Sequence, residues 1–371
     1  MPLSKIQFGN LGRRNLVING GMLIWQRATA ATTTVNAQLT TCDRVTNQLS
    51  HGGATTTERS TDVPAGQGFQ YSLKHVVTTA DASMGTDDYY DIYQTRLEAN
   101  NVAQLCYGTS GAKKTSLSFW IKSSVAGVYN GTILAHTAKI KLPFNFTISS
   151  ANTWEHIKIE NLPGATAGAD DGTAWITSGN NLGLQIRIFG MLGTRWTGAT
   201  DRTWNTANDE NSYGSSNSQV NWMGTLSNTL YITGVQFEVS SASSDFEHRS
   251  VHDELLACQR YYWKHAAEAV GTNQGAGTSA LGQWNTTSAY GMMSFPVEMR
   301  AKPSGSYSDL THFTVYSNGQ TRTPSSWVMS TRGDKWGTEH HFDWTSALSY
   351  GGGAWFRFQN GNAWYAYEAE I

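Results

Sequence analysis

The sequence predicts an all-β chain: a β-sandwich, one helix, then a second β domain. Three observations carry that expectation. Only 15% of the 371 residues are charged, against about 25% in an average globular protein, while 12% are aromatic. Glycines number 37, with Ser, Thr and Asn between the apolar residues, and the helix formers Lys, Glu and Leu are scarce. Apolar and polar residues alternate at period two over much of the first 240 positions. Aromatic and β-branched side chains suit a pleated, half-buried surface, and glycine supplies the positive φ of tight turns.

Taken in order, residues 1–14 read as a polar arm with isolated Ile6 and Phe8. Leu16-Val17-Ile18 and Met22-Leu23-Ile24-Trp25 read as two short strands about an Asn19-Gly20 turn. Leu117, Phe119 and Ile121 share a face, opposite Ser118, Trp120 and Lys122. Ile140, Leu142, Phe144, Phe146 and Ile148 repeat the pattern. Pro143 lacks a ladder donor and puts that strand at an edge or a bulge. Ile157 and Ile159 continue it, as do Leu184, Ile186 and Ile188. Leu230 and Ile232 are in phase, whereas Val235, Phe237 and Val239 take the other parity; a β-bulge at Gly234 restores the inward face. Residues 189–224 break the pattern and read as a long loop, functional or mobile. The sandwich spans 15–248.

A connecting segment, 249–266, holds a helix from about 251 to 264. Ser250 caps it, and Asp253 and Glu254 sit in its electropositive first turn. Val251, Leu255, Cys258 and Tyr262 line one face. Residues 268–280, with Gly271, Gly275 and Gly277, read as a linker, and 280–371 as a C-terminal β domain. Asn318-Gly319 and Asn360-Gly361 are hairpin signals. Phe356, Phe358, Trp364, Tyr365 and Tyr367 make the last hairpin.

Several partners are disfavoured. Net charge is −2 and the only basic pairs are Arg13-Arg14 and Lys113-Lys114, so no stripe neutralises phosphates and no nucleic-acid partner is expected. Cys42, Cys106 and Cys258 are odd in number and widely spaced, which argues against a disulfide framework and for a reducing folding compartment. No apolar run reaches the ~18–20 residues of a membrane span, so no membrane insertion is expected. No secretory h-region is visible, which suits synthesis in a cytoplasm.

Three stretches together resemble a module of phage tail-fibre and carbohydrate-binding proteins. They are Asn15–Arg27 (NLVINGGMLIWQR), Leu117–Ser124 (LSFWIKSS) followed by Ala151–Glu155 (ANTWE), and Tyr231–Val239 (YITGVQFEV) followed by Asp245–Ser250 (DFEHRS) and Cys258–Tyr262 (CQRYY). Phe295–Pro303 (FPVEMRAKP) is similar to the family's usual continuation. The resemblance covers roughly 15–265. It implies a jelly-roll sandwich of the carbohydrate-binding kind, a virion protein made in the host cytoplasm, and a homotrimer. It also implies a host-surface polysaccharide as target. The N-terminal arm would dock on other phage virion proteins.

If a glycan is held, the long loop has the side chains for it: Arg195, Trp196, Asp201, Arg202, Trp204, Asn205, Asp209, Tyr213 and Trp222. Pyranose C–H faces stack on aromatic planes while polar groups fix the hydroxyls. Trp327, Trp336, Trp344, Trp355 and Trp364 are a second aromatic set. On a strand, Glu339, His341 and Asp343 face one way and His340 the other, a metal-ligand pattern of low specificity. The family resemblance allows a structural Ca²⁺ but names no ligands. No catalytic residue is expected. The carboxylate pairs Asp87-Asp88, Asp170-Asp171 and Asp209-Glu210 sit in turn-like stretches, and nothing divides any of the three into acid and base. G-x-S-x-G, H-E-x-x-H and P-loop motifs are absent. The functional expectation is therefore a tail-fibre protein that contacts host glycan without chemistry. The alternatives are a structural fibre, adaptor or head-decoration protein, and a polysaccharide-degrading tailspike.

Overall fold

The computed structural model describes the chain except residues 1–12, 35–37, 51, 136–139, 169–171, 173, 177, 207–210, 212, 268–278 and 350–351. Most of the arm 1–14 and of the linker 268–280 therefore lies outside the described residues, as do Asp170-Asp171 and Asp209-Glu210. The chain divides into two compact units, Met1–Glu254 with Ile371, and Leu255–Glu370. The division falls within the segment 249–266.

The first unit contains β1 (Ala30–Thr34), β2 (Gln38–Leu39), β3 (Thr46–Leu49), β4 (Ala54–Ser60), β5 (Ser72–Thr79) and β6 (Tyr89–Glu98). A short helix α1 (Ala99–Val102) precedes β7 (Thr115–Ser123), β8 (Gly127–Ala135), β9 (Lys141–Ile148), β10 (Glu155–Leu162), β11 (Leu182–Leu192) and β12 (Thr229–Glu238). They form two six-stranded sheets in the orders β1-β4-β5-β12-β7-β10 and β2-β3-β6-β11-β8-β9. Every strand pairing is antiparallel, and the chain crosses repeatedly from one sheet to the other, as in a jelly roll. Leu117, Phe119, Ile121, Phe144, Ile186 and Ile232 are among the fully buried core residues.

The parity slip in β12 is a bulge. Pairing with β7 shifts register between Thr233 and Gln236, and Leu230, Ile232, Val235 and Phe237 are all fully buried. Gly234 sits there at φ 65°, where a Cβ would lie 2.5 Å from the Phe69 ring. Val239, one residue past the strand, is exposed instead. Pro143 lies on β9, an edge strand. The first predicted hairpin does not form. Asn19 adopts φ 59°, and its side chain accepts from the Leu23 and Ile24 amides (2.8 and 2.9 Å) and donates to the Ile24 and Asp43 carbonyls (2.9 and 2.8 Å). One buried amide thus replaces the ladder that two strands would have supplied.

The helix α2 (Val251–Gln259) begins as expected, with Ser250 Oγ accepting from the Asp253 amide at 3.1 Å. It ends five residues early. Tyr261 closes a turn onto Cys258, and the aromatic-rich Tyr262–Ala266 becomes β13. The expected helical face is therefore cut short: Val251 is exposed and Tyr262 belongs to the strand.

The second unit continues with β14 (Ser279–Asn285), β15 (Ser288–Ser294), β16 (Ser304–Tyr307), β17 (Phe313–Ser317), β18 (Gln320–Arg322), β19 (Ser326–Gly333), β20 (Gly337–Asp343), β21 (Gly353–Phe358) and β22 (Trp364–Glu368). A three-stranded sheet, β13-β22-β16, and a seven-stranded sheet, β18-β17-β21-β14-β15-β20-β19, share a core that includes Trp327, Phe342, Phe356, Tyr365 and Tyr367. Asn318 and Gly319, at φ 47° and 77°, make the two-residue turn between β17 and β18. Asn360-Gly361 makes no hairpin: β21 pairs with β14 and β17, while β22 pairs with β13 and β16. That turn carries the chain from one sheet to the other.

Candidate functional site

The loop residues named from sequence do not form one platform. Trp222 is fully buried in a short 3₁₀ turn, Trp222–Gly224, and stacks on Tyr90 with centroids 5.8 Å apart. Its indole donates to the Thr229 carbonyl. It is core, out of reach of any glycan, and that assignment is corrected. Trp204 is half-buried, donates to the Pro163 carbonyl at 2.7 Å, and meets Tyr107 and Trp175 edge-on. Asp201 accepts from the Asn145 amide and side chain and from Ser215, which ties the loop to edge strand β9.

Arg195, Trp196 and Tyr213 do come together, around a residue that periodicity did not single out. Arg187 projects outward from β11, its guanidinium carbon 5.4 Å from the Tyr89 ring centre, 5.2 Å from Phe189 and 5.1 Å from Tyr213. It donates to Asp91 Oδ2 through Nε and Nη2 at 3.1 and 2.6 Å. Burial pushes the Asp91 carboxyl above the usual carboxylate range, with the Arg187 charge opposing. Trp196 packs edge-on against Tyr89 and Tyr213, its indole donating to the Asp87 carbonyl at 2.9 Å. Arg195 covers the Trp196 ring at 4.7 Å and reaches Asn211 and Asp87. The recess left among these rings is about 50 Å³. A liquid water occupies about 30 Å³, so the recess admits solvent rather than a sugar ring. The cluster pins a long loop to the outer face of the sheet.

The open aromatic surface is in the second unit. Along β14, Ala280, Gly282 and Trp284 face outward, and Trp284 is 72% exposed. Gly282 pairs with Tyr290 on β15, and Tyr290 pairs with His341 on β20. Tyr290 lies flat on the His341 ring, 4.1 Å between centroids, and meets Trp284 edge-on at 6.0 Å. His341 Nε2 is 3.0 Å from Asp343 Oδ1, and Ser326 donates to Asp343 Oδ2 at 2.8 Å. These contacts fix the Tyr290 plane. Arg332 is 3.9 Å from Glu339 at the other side. The resulting cavity, about 480 Å³, is lined by Gly282, Gln283, Trp284, Tyr290, Arg332 and Glu339.

Of the second aromatic set, Trp327 and Trp344 are core, whereas Trp336 and Trp355 are exposed and Trp364 lies 4.9 Å under the Lys264 amine. Trp284, the most exposed of the large apolar residues described, stood outside that set. The only sequence signal for it was its place two residues from Gly282 on a short alternating strand. Glu339, His341 and Asp343 do share the outer face of β20, while His340 points inward to Tyr367. Among the described residues no group of three His, Cys, Asp or Glu side chains converges on a metal position. A Ca²⁺ held through backbone carbonyls would not need such a group.

No helix among the described residues is long and apolar enough to cross a membrane. No family model matches the chain, and no curated protein matches it. Solved structures similar to it include the enzymatically active domain of tailspike protein 4 of bacteriophage CBA120, at 11% identity and a TM-score of 0.31, covering 61% of this chain and 21% of that one. This chain thus spans about a fifth of that tailspike domain's length. A family 11 carbohydrate-binding module from Clostridium thermocellum, in complex with a mixed-linked tetrasaccharide, is similar at 10% identity and a TM-score of 0.27, over 59% of this chain and 99% of the module. The agarase AgWH50C is similar at 8% identity and a TM-score of 0.25, over 85% of this chain and 47% of the enzyme.

Proposed function

We propose that this chain is a virion component of a tailed phage, a tail-fibre protein that holds host-surface glycan and performs no chemistry on it. The observation that carries the glycan reading is the 480 Å³ cavity, walled by an exposed Trp284 and a braced Tyr290 with a carboxylate and a guanidinium at its edge. Aromatic planes with a few convergent polar groups are the composition of a sugar site. The virion reading is supported by the resemblance of residues 15–265 to phage fibre modules. A homotrimer, joined through the N-terminal arm to other virion proteins, fits this role because linked weak sites raise avidity.

The purified full-length chain, incubated with polysaccharide from the phage's host, should retain it without releasing reducing ends. Reducing-end release would make it a depolymerase; no retention by any host-surface polysaccharide would leave a structural fibre or adaptor. That second reading draws its support from the first unit, where the loop expected to bind is closed on itself around Arg187.

A further inference from the structure

The 480 Å³ cavity is one end of a longer trough. On the same outer face, Trp355 of β21 pairs with Ala280 of β14, and Gly353 pairs with Gly282. Trp355 is 59% exposed, and its other neighbour is Tyr316 on β17. The floor between Trp355 and Tyr290 is therefore Ala280, Gly282 and Gly353. Neighbouring strands lie about 4.8 Å apart and each residue rises about 3.4 Å, so Tyr290 and Trp355, two strands apart and offset by two residues along β14, stand roughly 12 Å apart. Neither glycine is needed to relieve crowding: a Cβ on Gly353 would meet nothing within 4 Å, and one on Gly282 would meet only the Tyr290 carbonyl at 3.9 Å. Their small size serves to keep the floor low.

The charges around the trough are of both signs. Arg332 faces Glu339, His341 faces Asp343, and Arg357 lies 4.0 Å over the Tyr316 ring. The Arg332 and Arg357 guanidiniums are balanced by the Glu339 and Asp343 carboxylates, so these side chains give the rim no net positive charge, the feature an anionic sugar would call for.

From this juxtaposition we infer that the trough takes an extended, neutral oligosaccharide running across the strands, with one subsite at Trp284 and Tyr290 and a further subsite at Trp355. This rests on the glycan reading above and names its ligand class. A chain lying this way gains contact with each added sugar until it reaches Trp355.

The test is calorimetry on the full-length chain with neutral cello-, manno- and galacto-oligosaccharides of increasing length, and with oligogalacturonates as the anionic arm. In at least one neutral series affinity should rise by about tenfold or more from the disaccharide to the longer oligomers, the size of one interface anchor. Trp355→Ala and Gly353→Leu should each abolish that gain. Trp284→Ala should weaken every length. Neutral affinity independent of length, or binding confined to the oligogalacturonates, would overturn the extended neutral ligand while keeping a sugar site. Absence of binding to every sugar, with Trp284→Ala instead dissociating an oligomer, would place a second copy of the chain on this face. That outcome would overturn both readings.

Discussion

Tyr290 and His341 stack with centroids 4.1 Å apart and planes 14° from parallel, and the imidazole is itself held by Asp343. The pair turns a mobile phenol into a fixed wall. Aromatic pairs contribute about 0.5–1.5 kcal/mol beyond burial. His341→Ala should therefore weaken sugar binding by several-fold to tenfold, while His341→Phe, which keeps the stack, should retain most of it. Titration calorimetry on the two variants checks this. Equal losses in both would show that the imidazole acts through its polar atoms instead.

Trp222 and Trp284 make opposite predictions. Trp222 is fully buried against Tyr90 and His75, so Trp222→Ala should cost about 3–5 kcal/mol of stability. Trp284 is 72% exposed, and Trp284→Ala should stay within about 0.5 kcal/mol of the parent. Urea unfolding of both variants distinguishes core from surface.

Gly234 is a backbone requirement. At φ 65°, with a Cβ position 2.5 Å from the Phe69 ring, Gly234→Ala should lower stability by about 1–3 kcal/mol. A melt unchanged from the parent would show that the bulge relaxes without strain.

Acid should unfold the protein through two buried histidines. Burial lowers His75 from 6.5 to about 3 and His340 to about 4. Both are neutral in the folded chain and protonate first in the unfolded one, so the unfolded state binds more protons and stability falls with pH. The loss begins near 6.5 and runs to about 3 for His75 and about 4 for His340. Each contributes about 1.4 kcal/mol per pH unit within its window. Urea midpoints between pH 7 and pH 5 should fall accordingly, and less steeply in His75→Gln; a flat profile would contradict the assignment.

Much of the fold was legible because strand parity is a local signal. Leu117, Phe119 and Ile121 announced their inward face, Pro143 its edge strand, and Gly234 its bulge. What stayed hidden depends on contacts remote in sequence. Asn360-Gly361 has the composition of a hairpin, yet Phe358 and Trp364 pair in different sheets. Trp222 looked like a sugar platform because nothing near it in sequence reveals Tyr90 and His75 beneath it. Arg187 was one polar residue in an alternating strand until the loop folded over it. For the proposed binding surface, the sequence carried the aromatic vocabulary but not the exposure, which separates Trp284 and Trp355 from Trp327 and Trp344.

The proposed sugar site is the second unit's aromatic trough and not the loop around Trp196. It is tested most directly by measuring the binding of one host polysaccharide to the full-length parent, Trp284→Ala and Trp196→Ala side by side. A loss of about tenfold or more is expected for Trp284→Ala, with parent-like affinity for Trp196→Ala. Loss in Trp196→Ala with Trp284→Ala unchanged would contradict it and return the site to the loop.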